Sequence, residues 1–342
     1  MSLVFEPGKI RNITLKNRLI RSATWENTGG EEGRIDDQTY RIYREAAHGG
    51  AGAVITGFTS VSMHDDYFEG MMRLCDDGLI PRYRKLTDII HSGDCTAICQ
   101  LALGAFYRGD SGWFLQTEPD NMTQEEIRLV ISLFTDAAER AARAGFDGVQ
   151  LHAAHFFFLS RFISPAVNHR TDLYGGSVEN RTRILTEIIK RIRLTVPDFM
   201  VTVKINCSDF IKDGLNEDES LEICRILDRQ GIDAIEVSGN GPSVTGIKAH
   251  VNEGYFVPSA SRIAAAVSCP VIVCGGLRSL DTMEEVLEST PIRFISLSRP
   301  LIREPDLPKK MQQDPSAEAQ CISCNRCYSQ PCHRCFFNKE QF

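Results

Sequence analysis

Short β-branched runs that end in a small or polar residue recur along the chain, each followed by a stretch with helical spacing of apolar positions or a loop leading to one. Eight such runs predict strands: Arg18–Thr24, Ala53–Gly57, Thr96–Leu101, Gly148–His152, Val201–Asn206, Ala234–Ser238, Val271–Cys274 and Phe294–Ser298. The sharpest helix start is Thr123-Gln-Glu-Glu126, a capping box ahead of an amphipathic run that stops at Gly145. Ser177-Val-Glu-Asn180 opens a second helix, Asn216-Glu-Asp-Glu219 a third that stops at Gly231, and Ser279-Leu-Asp281 a fourth. Strand then helix, eight times over, implies parallel pairing through crossover helices. Eight units in roughly 300 residues fit an α/β fold of the (β/α)8 TIM-barrel type better than a six-stranded open sheet, its main rival. Lys9–Leu15 reads as an N-terminal hairpin, a lid on the N-terminal end of the barrel. The barrel is expected to close near Pro305, and the chain turns polar after Asp314, dividing it into a barrel over 1–315 and a short Cys-rich tail over 316–342.

Composition narrows the partners. Of 342 residues, 42% are hydrophobic, 24% charged and 8% aromatic, near globular averages, so disordered and fibrous classes fall away. With 38 basic and 45 acidic residues, a formal net charge of −7 and no dense basic run, nucleic acid is not an expected partner. No run of about 18 apolar residues is present, so no membrane span is expected. Among twelve cysteines, five (Cys321, Cys324, Cys327, Cys332, Cys335) crowd the tail. The start, Met1-Ser2-Leu3-Val4-Phe5-Glu6-Pro7-Gly8, has neither a basic region nor an apolar core. The reducing cytoplasm is therefore expected, not a secreted disulfide framework.

In a barrel, chemistry gathers at the C-terminal ends of the strands. There the chain carries Gln100, His152 and His155, Lys204, Ser238-Gly239, Gly275-Gly276 and Ser298-Arg299. The last two pairs suit a phosphate held on backbone N–H groups after strands seven and eight, against the plainer reading of turns and a surface ion pair. His152 and His155, three apart, suit an anionic or enolate-like oxygen, half a metal site, or core packing. Lys204 interrupts the apolar run Val201–Asn206 and reads as a cation facing an electron-rich cofactor, a Schiff-base nucleophile or a lysine reaching the rim. Neither G-x-G-x-x-G nor a P-loop is present in the required context. Gly239-Asn-Gly241 reads as a loop, and a nicotinamide would bind only transiently. In the tail, Cys321-Ile-Ser-Cys324-Asn-Arg-Cys327 brings three thiolates within reach of one centre, suiting an iron–sulfur cluster or zinc ahead of disulfides. The fourth ligand is open among Cys332, His333 and Cys335.

The run Gly145-Phe-Asp-Gly-Val-Gln-Leu-His152-Ala-Ala-His155, continuing through Phe162-Ile-Ser-Pro165, Asn168, Arg170-Thr-Asp172, Tyr174-Gly-Gly-Ser177 and Glu179-Asn-Arg181, resembles the Old Yellow Enzyme family of FMN-dependent oxidoreductases. Leu15-Lys-Asn-Arg18, Gln100-Leu101 and Ser298-Arg-Pro-Leu301 extend the likeness over the barrel. The resemblance implies FMN across the barrel mouth. Ala23, Thr24, Trp25 and Phe58 would border its ring, Gln100 and Lys204 would meet its pyrimidine edge, and Gly275, Gly276, Ser298 and Arg299 would hold its phosphate. His152 and His155 would bind a substrate carbonyl, with NAD(P)H as transient reductant. Three positions depart from the family's pattern: Phe157 where a proton-donating Tyr is usual, Leu103 where a His is usual, and Ser298 where a Gly is usual.

The tail resembles the 4Fe-4S motif of the 2,4-dienoyl-CoA reductase and trimethylamine dehydrogenase branch, which implies Cys321, Cys324, Cys327 and Cys335 as ligands, or a zinc site on the same residues. A chain ending at Phe342 leaves no room for the nucleotide-binding half usual in that branch, so a separate electron-donor protein or direct reduction by NAD(P)H is expected. The expected function is an FMN-dependent NAD(P)H oxidoreductase acting on a small unsaturated carbonyl-type molecule, as a cytoplasmic homo-oligomer. The alternatives are a flavin-binding protein with altered or lost ene-reductase activity, and a Lys204 Schiff-base aldolase.

Overall fold

The computed structural model describes residues 2–30, 33–65, 67–108, 115–240 and 243–338. Eight parallel strands close on themselves in sequence order: Leu19–Arg21, Ala53–Ile55, Thr96–Ala102, Gly148–Ala153, Met200–Asn206, Ala234–Ser238, Val271–Val273 and Phe294–Leu297. The first pairs with the eighth, which completes the expected (β/α)8 barrel and excludes the open sheet. Every expected strand is present. Several end earlier than their β-branched runs, the first by three residues. There Ser22 still donates its N–H to the Leu297 carbonyl, but Thr24 Oγ turns back onto the Ser22 carbonyl at 3.1 Å, so 22–25 form rim instead of ladder.

The four expected helices are Gln124–Arg143, Val178–Thr195, Glu217–Arg229 and Leu280–Ser289. Thr123 and Asn216 each make both halves of a capping box, and Ser177 accepts from the Asn180 N–H, so local capping sets these starts. Short elements that no periodicity announces decorate the rim, among them the strands Thr59–Ser60 and Met72–Arg73 and the one-and-a-half-turn helix Phe158–Ile163.

Side chains alternate across each strand, so one set faces the helices and the other the barrel interior. The lower interior is apolar: Ile20, Ala53, Ile55, Ile98, Met200, Ala234, Ile272 and Phe294 pack together with Ile10 and Leu15. Those last two belong to the hairpin Gly8–Ile10 and Ile13–Leu15, which caps the N-terminal end as expected. Two or four residues further along the same strands the interior turns polar, and this change builds the site. Among the described residues no helix is long and apolar enough to cross a membrane.

Candidate active site

A cavity of about 870 Å3 opens at the C-terminal ends of the strands, near the upper end of the usual range for small-molecule sites. All twelve residues expected at the catalytic and cofactor positions line it: Ala23, Thr24, Trp25, Phe58, Gln100, His152, His155, Lys204, Gly275, Gly276, Ser298 and Arg299. They come from seven of the eight strand ends and their following loops, far apart in sequence, so only barrel closure joins them.

Beneath the cavity lies a buried polar layer. Lys204 Nζ donates to Ser22 Oγ (2.7 Å) and to Glu236 Oε1 (3.1 Å). The same Oε1 accepts from Ser22 Oγ and Ser296 Oγ, each at 2.7 Å, and Oε2 accepts from Gln150 Nε2 at 2.8 Å. Gln150 Oε1 in turn accepts from Gln100 Nε2 at 2.9 Å. Burial alone would lower the Lys204 pKa, but the adjoining Glu236 carboxylate outweighs it and the ammonium is retained. Burial pushes Glu236 the other way, and Lys204 with the serine and glutamine donors brings it below the usual carboxylate range. Lys204 is therefore neither a rim lysine nor the neutral amine that a Schiff-base aldolase needs.

The histidine pair stands at the end of the fourth strand. His152 lies on the strand itself; His155 and Phe156 take left-handed backbone angles (φ 63° and 58°) that turn the chain sharply before the short helix. That turn is pinned by Asn206 Oδ1, which accepts the His155 N–H at 3.1 Å, and His155 Nε2 lies 2.9 Å from Ser238 Oγ. The two rings are 5.2 Å apart, centroid to centroid. Burial and the Lys204 charge push His155 down to about 3, and burial, His155 and Lys204 hold His152 well below its ordinary value, so both rings are neutral. His152 Nδ1 is buried without a hydrogen-bond partner among the described residues. An orphaned polar nitrogen beside a cavity points to a ligand atom there. Phe157 stands 5.0 Å from the His152 ring and 5.0 Å from Phe58, and Phe68 continues this wall to Trp25.

On the opposite side, Gly275 and Gly276 adopt φ of 109° and 85°, a region that L side chains avoid. A Cβ on either would strike Phe256 or Tyr255 at 2.6–2.7 Å, so bare backbone is required beside the cavity. Arg299 Nη1 donates to the Val244 carbonyl and to Asn325 Oδ1, both at 2.7 Å, and Ser298 Oγ pairs with Thr24 Oγ at 2.9 Å. Bare glycine backbone and a buried guanidinium lining one cavity suit a phosphate.

Residues 3–318 match the model of the NADH:flavin oxidoreductase / NADH oxidase family. The chain belongs to this family. Its Old Yellow Enzyme-type members are flavin-dependent NADH or NADPH oxidoreductases, as the resemblance implied. A metal reductase of Desulforamulus reducens is 31% identical over 95% of this chain and 51% of its own length. A 4,4'-dithiodibutanoate disulfide reductase of Rhodococcus erythropolis is 29% identical over 95% of this chain and 92% of its own. Among solved structures, a complex of 2-naphthoyl-CoA reductase with 2-naphthoyl-CoA superposes with a TM-score of 0.87 at 26% identity, covering 94% of this chain and 54% of that one. The chain thus spans about half the length of the metal reductase and of the naphthoyl-CoA reductase.

Against the family's barrel the cysteine tail packs at the glycine–arginine side of the cavity. Arg278, 2% exposed, donates to the carbonyls of Leu277 and Cys321 and to Ser323 Oγ, tying the loop after the glycine pair to the tail. Cys321, Cys324, Cys327 and Cys335 all line one small second cavity with Arg299 and Arg303, and Cys327 also borders the main one. Cys332 and His333 face a different pocket, where His333 Nδ1 lies 2.7 Å from the Trp25 carbonyl oxygen. None of the twelve cysteines is in a disulfide. Among the described residues no three potential ligands stand close enough to hold a metal ion.

Residue-by-residue reading of the sequence missed Glu236, Ser22, Gln150 and Ser296. Glu236 carries the same signal as Lys204, a charge inside an apolar strand (Ala234-Ile-Glu-Val-Ser238), and was legible by it. It also missed that the tail contributes Asn325, Cys327, Tyr328 and His333 to the main cavity. Gly241, in the loop Gly239-Asn-Gly241, lies outside the described residues.

Proposed function

We propose that the protein binds FMN in the main cavity and reduces a small unsaturated carbonyl-type substrate at the expense of NAD(P)H. The observation that carries this reading is the convergence of twelve residues on one cavity that joins a glycine–arginine side to a pair of neutral imidazoles. The residues present fit the cofactor: Gly275, Gly276, Ser298 and Arg299 for its phosphate, Lys204 and Gln100 for the pyrimidine edge, and Ala23, Thr24, Trp25 and Phe58 around the ring. When bound, FMN would supply hydride exchange between a nicotinamide and the second substrate.

His152 and His155 bind the substrate carbonyl oxygen. Neutral imidazole N–H groups donate to that oxygen and stabilise the negative charge that gathers on it, without a counter-ion to expel. The aromatic wall of Phe58, Phe68 and Phe157 excludes water from the substrate face. Phe157 has no hydroxyl, so the proton that the α-carbon takes up comes from solvent or from another side chain. The same residue favours a second reading, a flavoprotein that nicotinamide reduces but no enone reoxidises.

Cys321, Cys324, Cys327 and Cys335 line one cavity but do not stand within metal-holding distance of one another, so a 4Fe-4S cluster or zinc there would have to draw them together. Cys335, not Cys332 or His333, shares a cavity with the other three. Electrons then reach the barrel from NAD(P)H or from a separate donor protein. On this proposal 1–315 is the FMN barrel and 316–342 the metal-binding tail of a cytoplasmic homo-oligomer.

The test is a visible spectrum of protein purified without oxygen, with iron and zinc content, followed by anaerobic NADH or NADPH and then an enone. Flavin bands bleached by the nicotinamide and restored by the enone are expected. Colourless protein with no extractable FMN overturns the main reading, flavin without iron or zinc overturns the metal centre, and flavin that no enone restores establishes the second reading.

A further inference from the structure

Glu236 is fully buried, borders neither cavity and has no part in the reaction outlined above. It is nevertheless the hub of the polar layer. Its carboxylate accepts four hydrogen bonds, from Ser22, Ser296, Lys204 and Gln150. One arm ends on Lys204, whose ammonium has three N–H donors, two of them spent on Ser22 and Glu236, leaving the third for the cavity. The other arm runs through Gln150 to Gln100. Because Gln150 donates to the carboxylate, its Oε1 accepts from Gln100 Nε2, and this leaves Gln100 Oε1 for the cavity. Lys204 and Gln100 are the two side chains that the proposed function sets against the flavin's pyrimidine edge. Four adjacent strands hold these residues in register, with Lys204 opposite Glu236 and Gln150 opposite Gln100.

We infer that Glu236 is a positioning residue that balances the charge of Lys204 and fixes the orientation of Gln100, so that the flavin meets a compensated ammonium and an aligned amide instead of a free cation. The inference rests on the flavin reading above. A free cation at that edge would favour the reduced, more negative cofactor; a carboxylate 3.1 Å behind the cation offsets this pull and holds the reduction potential down. The buried pair also persists only as a pair, since removing one partner strands the other charge in the interior.

The experiment is a reductive titration of the full chain loaded with FMN, against a dye of known potential, for the wild type, Glu236→Gln, Lys204→Met and the double variant. Glu236→Gln is expected to raise the ratio of reduced to oxidised flavin at fixed poise about tenfold, equivalent to about 30 mV for a two-electron couple. Lys204→Met is expected to lower the ratio by a similar factor, and adding Glu236→Gln to it to raise the ratio again. If Glu236→Gln alone does not fold, the comparison of Lys204→Met with the double variant decides, because the double variant leaves no unpaired charge. Equal potentials with and without the carboxylate, while Lys204→Met moves the potential, overturn this inference and leave the flavin reading standing. A chain that binds no FMN overturns the flavin reading itself, and a flavin potential that ignores Lys204 overturns the placement of Lys204 at the flavin edge and this inference with it.

Discussion

His152 and His155 differ from surface histidines in one measurable respect: the fold refuses them a proton. Above the ordinary value of 6.5 the folded and unfolded chains both carry neutral rings. Below it the unfolded chain binds protons that the folded one excludes, so the pair's contribution to stability is full above about 6.5 and declines as pH falls toward about 3. Melting temperature measured from pH 7.5 down to pH 4.5 should therefore fall, and His155→Asn should flatten the slope. Phe157 carries a second prediction at this scale. With Tyr in its place a phenol stands beside the His152 ring, and reoxidation of reduced flavin by a cyclic enone should speed up by about 10²-fold if general-acid catalysis is what the site lacks. The sequence exposes such residues only where they break a pattern. Lys204 and the His pair do so, and Glu236 does too, but its hydrogen-bond partners lie 32, 60, 86 and 214 residues away, and no local spacing records that distance.

Helix starts are legible because they are local events: Thr123, Ser177 and Asn216 cap within three residues of themselves. Strand ends are not, because a strand stops where its neighbour stops pairing, as Ser22 shows. The tail is the least legible element. Its path is set by Arg278, a barrel residue, and by Asn325, which takes the left-handed conformation at φ 58° and bridges Arg299 to the Ser243 carbonyl. Arg278→Ala strips the half-buried Cys321 carbonyl and the buried Ser323 hydroxyl of their donor, costing about 2 kcal/mol at the tail's anchor. Limited proteolysis should then cut between residues 316 and 338 several-fold faster, while far-ultraviolet circular dichroism of the barrel holds.

At the scale of the whole molecule, an eightfold repeat of strand and helix was enough to predict a closed barrel, since topology leaves few ways to bury eight parallel strands. The cavity that closure creates also predicts a linkage. A ligand that binds only the folded chain stabilises it by mass action, so FMN at 100 times its Kd should add about 2.7 kcal/mol, read as a melting temperature that climbs with added FMN and does not with riboflavin at the same concentration if the glycine–arginine side holds the phosphate. The hairpin gives the molecule a further property. It fills one end of the barrel with Ile10 and Leu15, while the main cavity opens at the other. On the proposed function a nicotinamide and an enone would share that opening and take turns: each would occupy the histidine pocket only after its predecessor had gone, so an excess of either should slow the cycle by blocking the other.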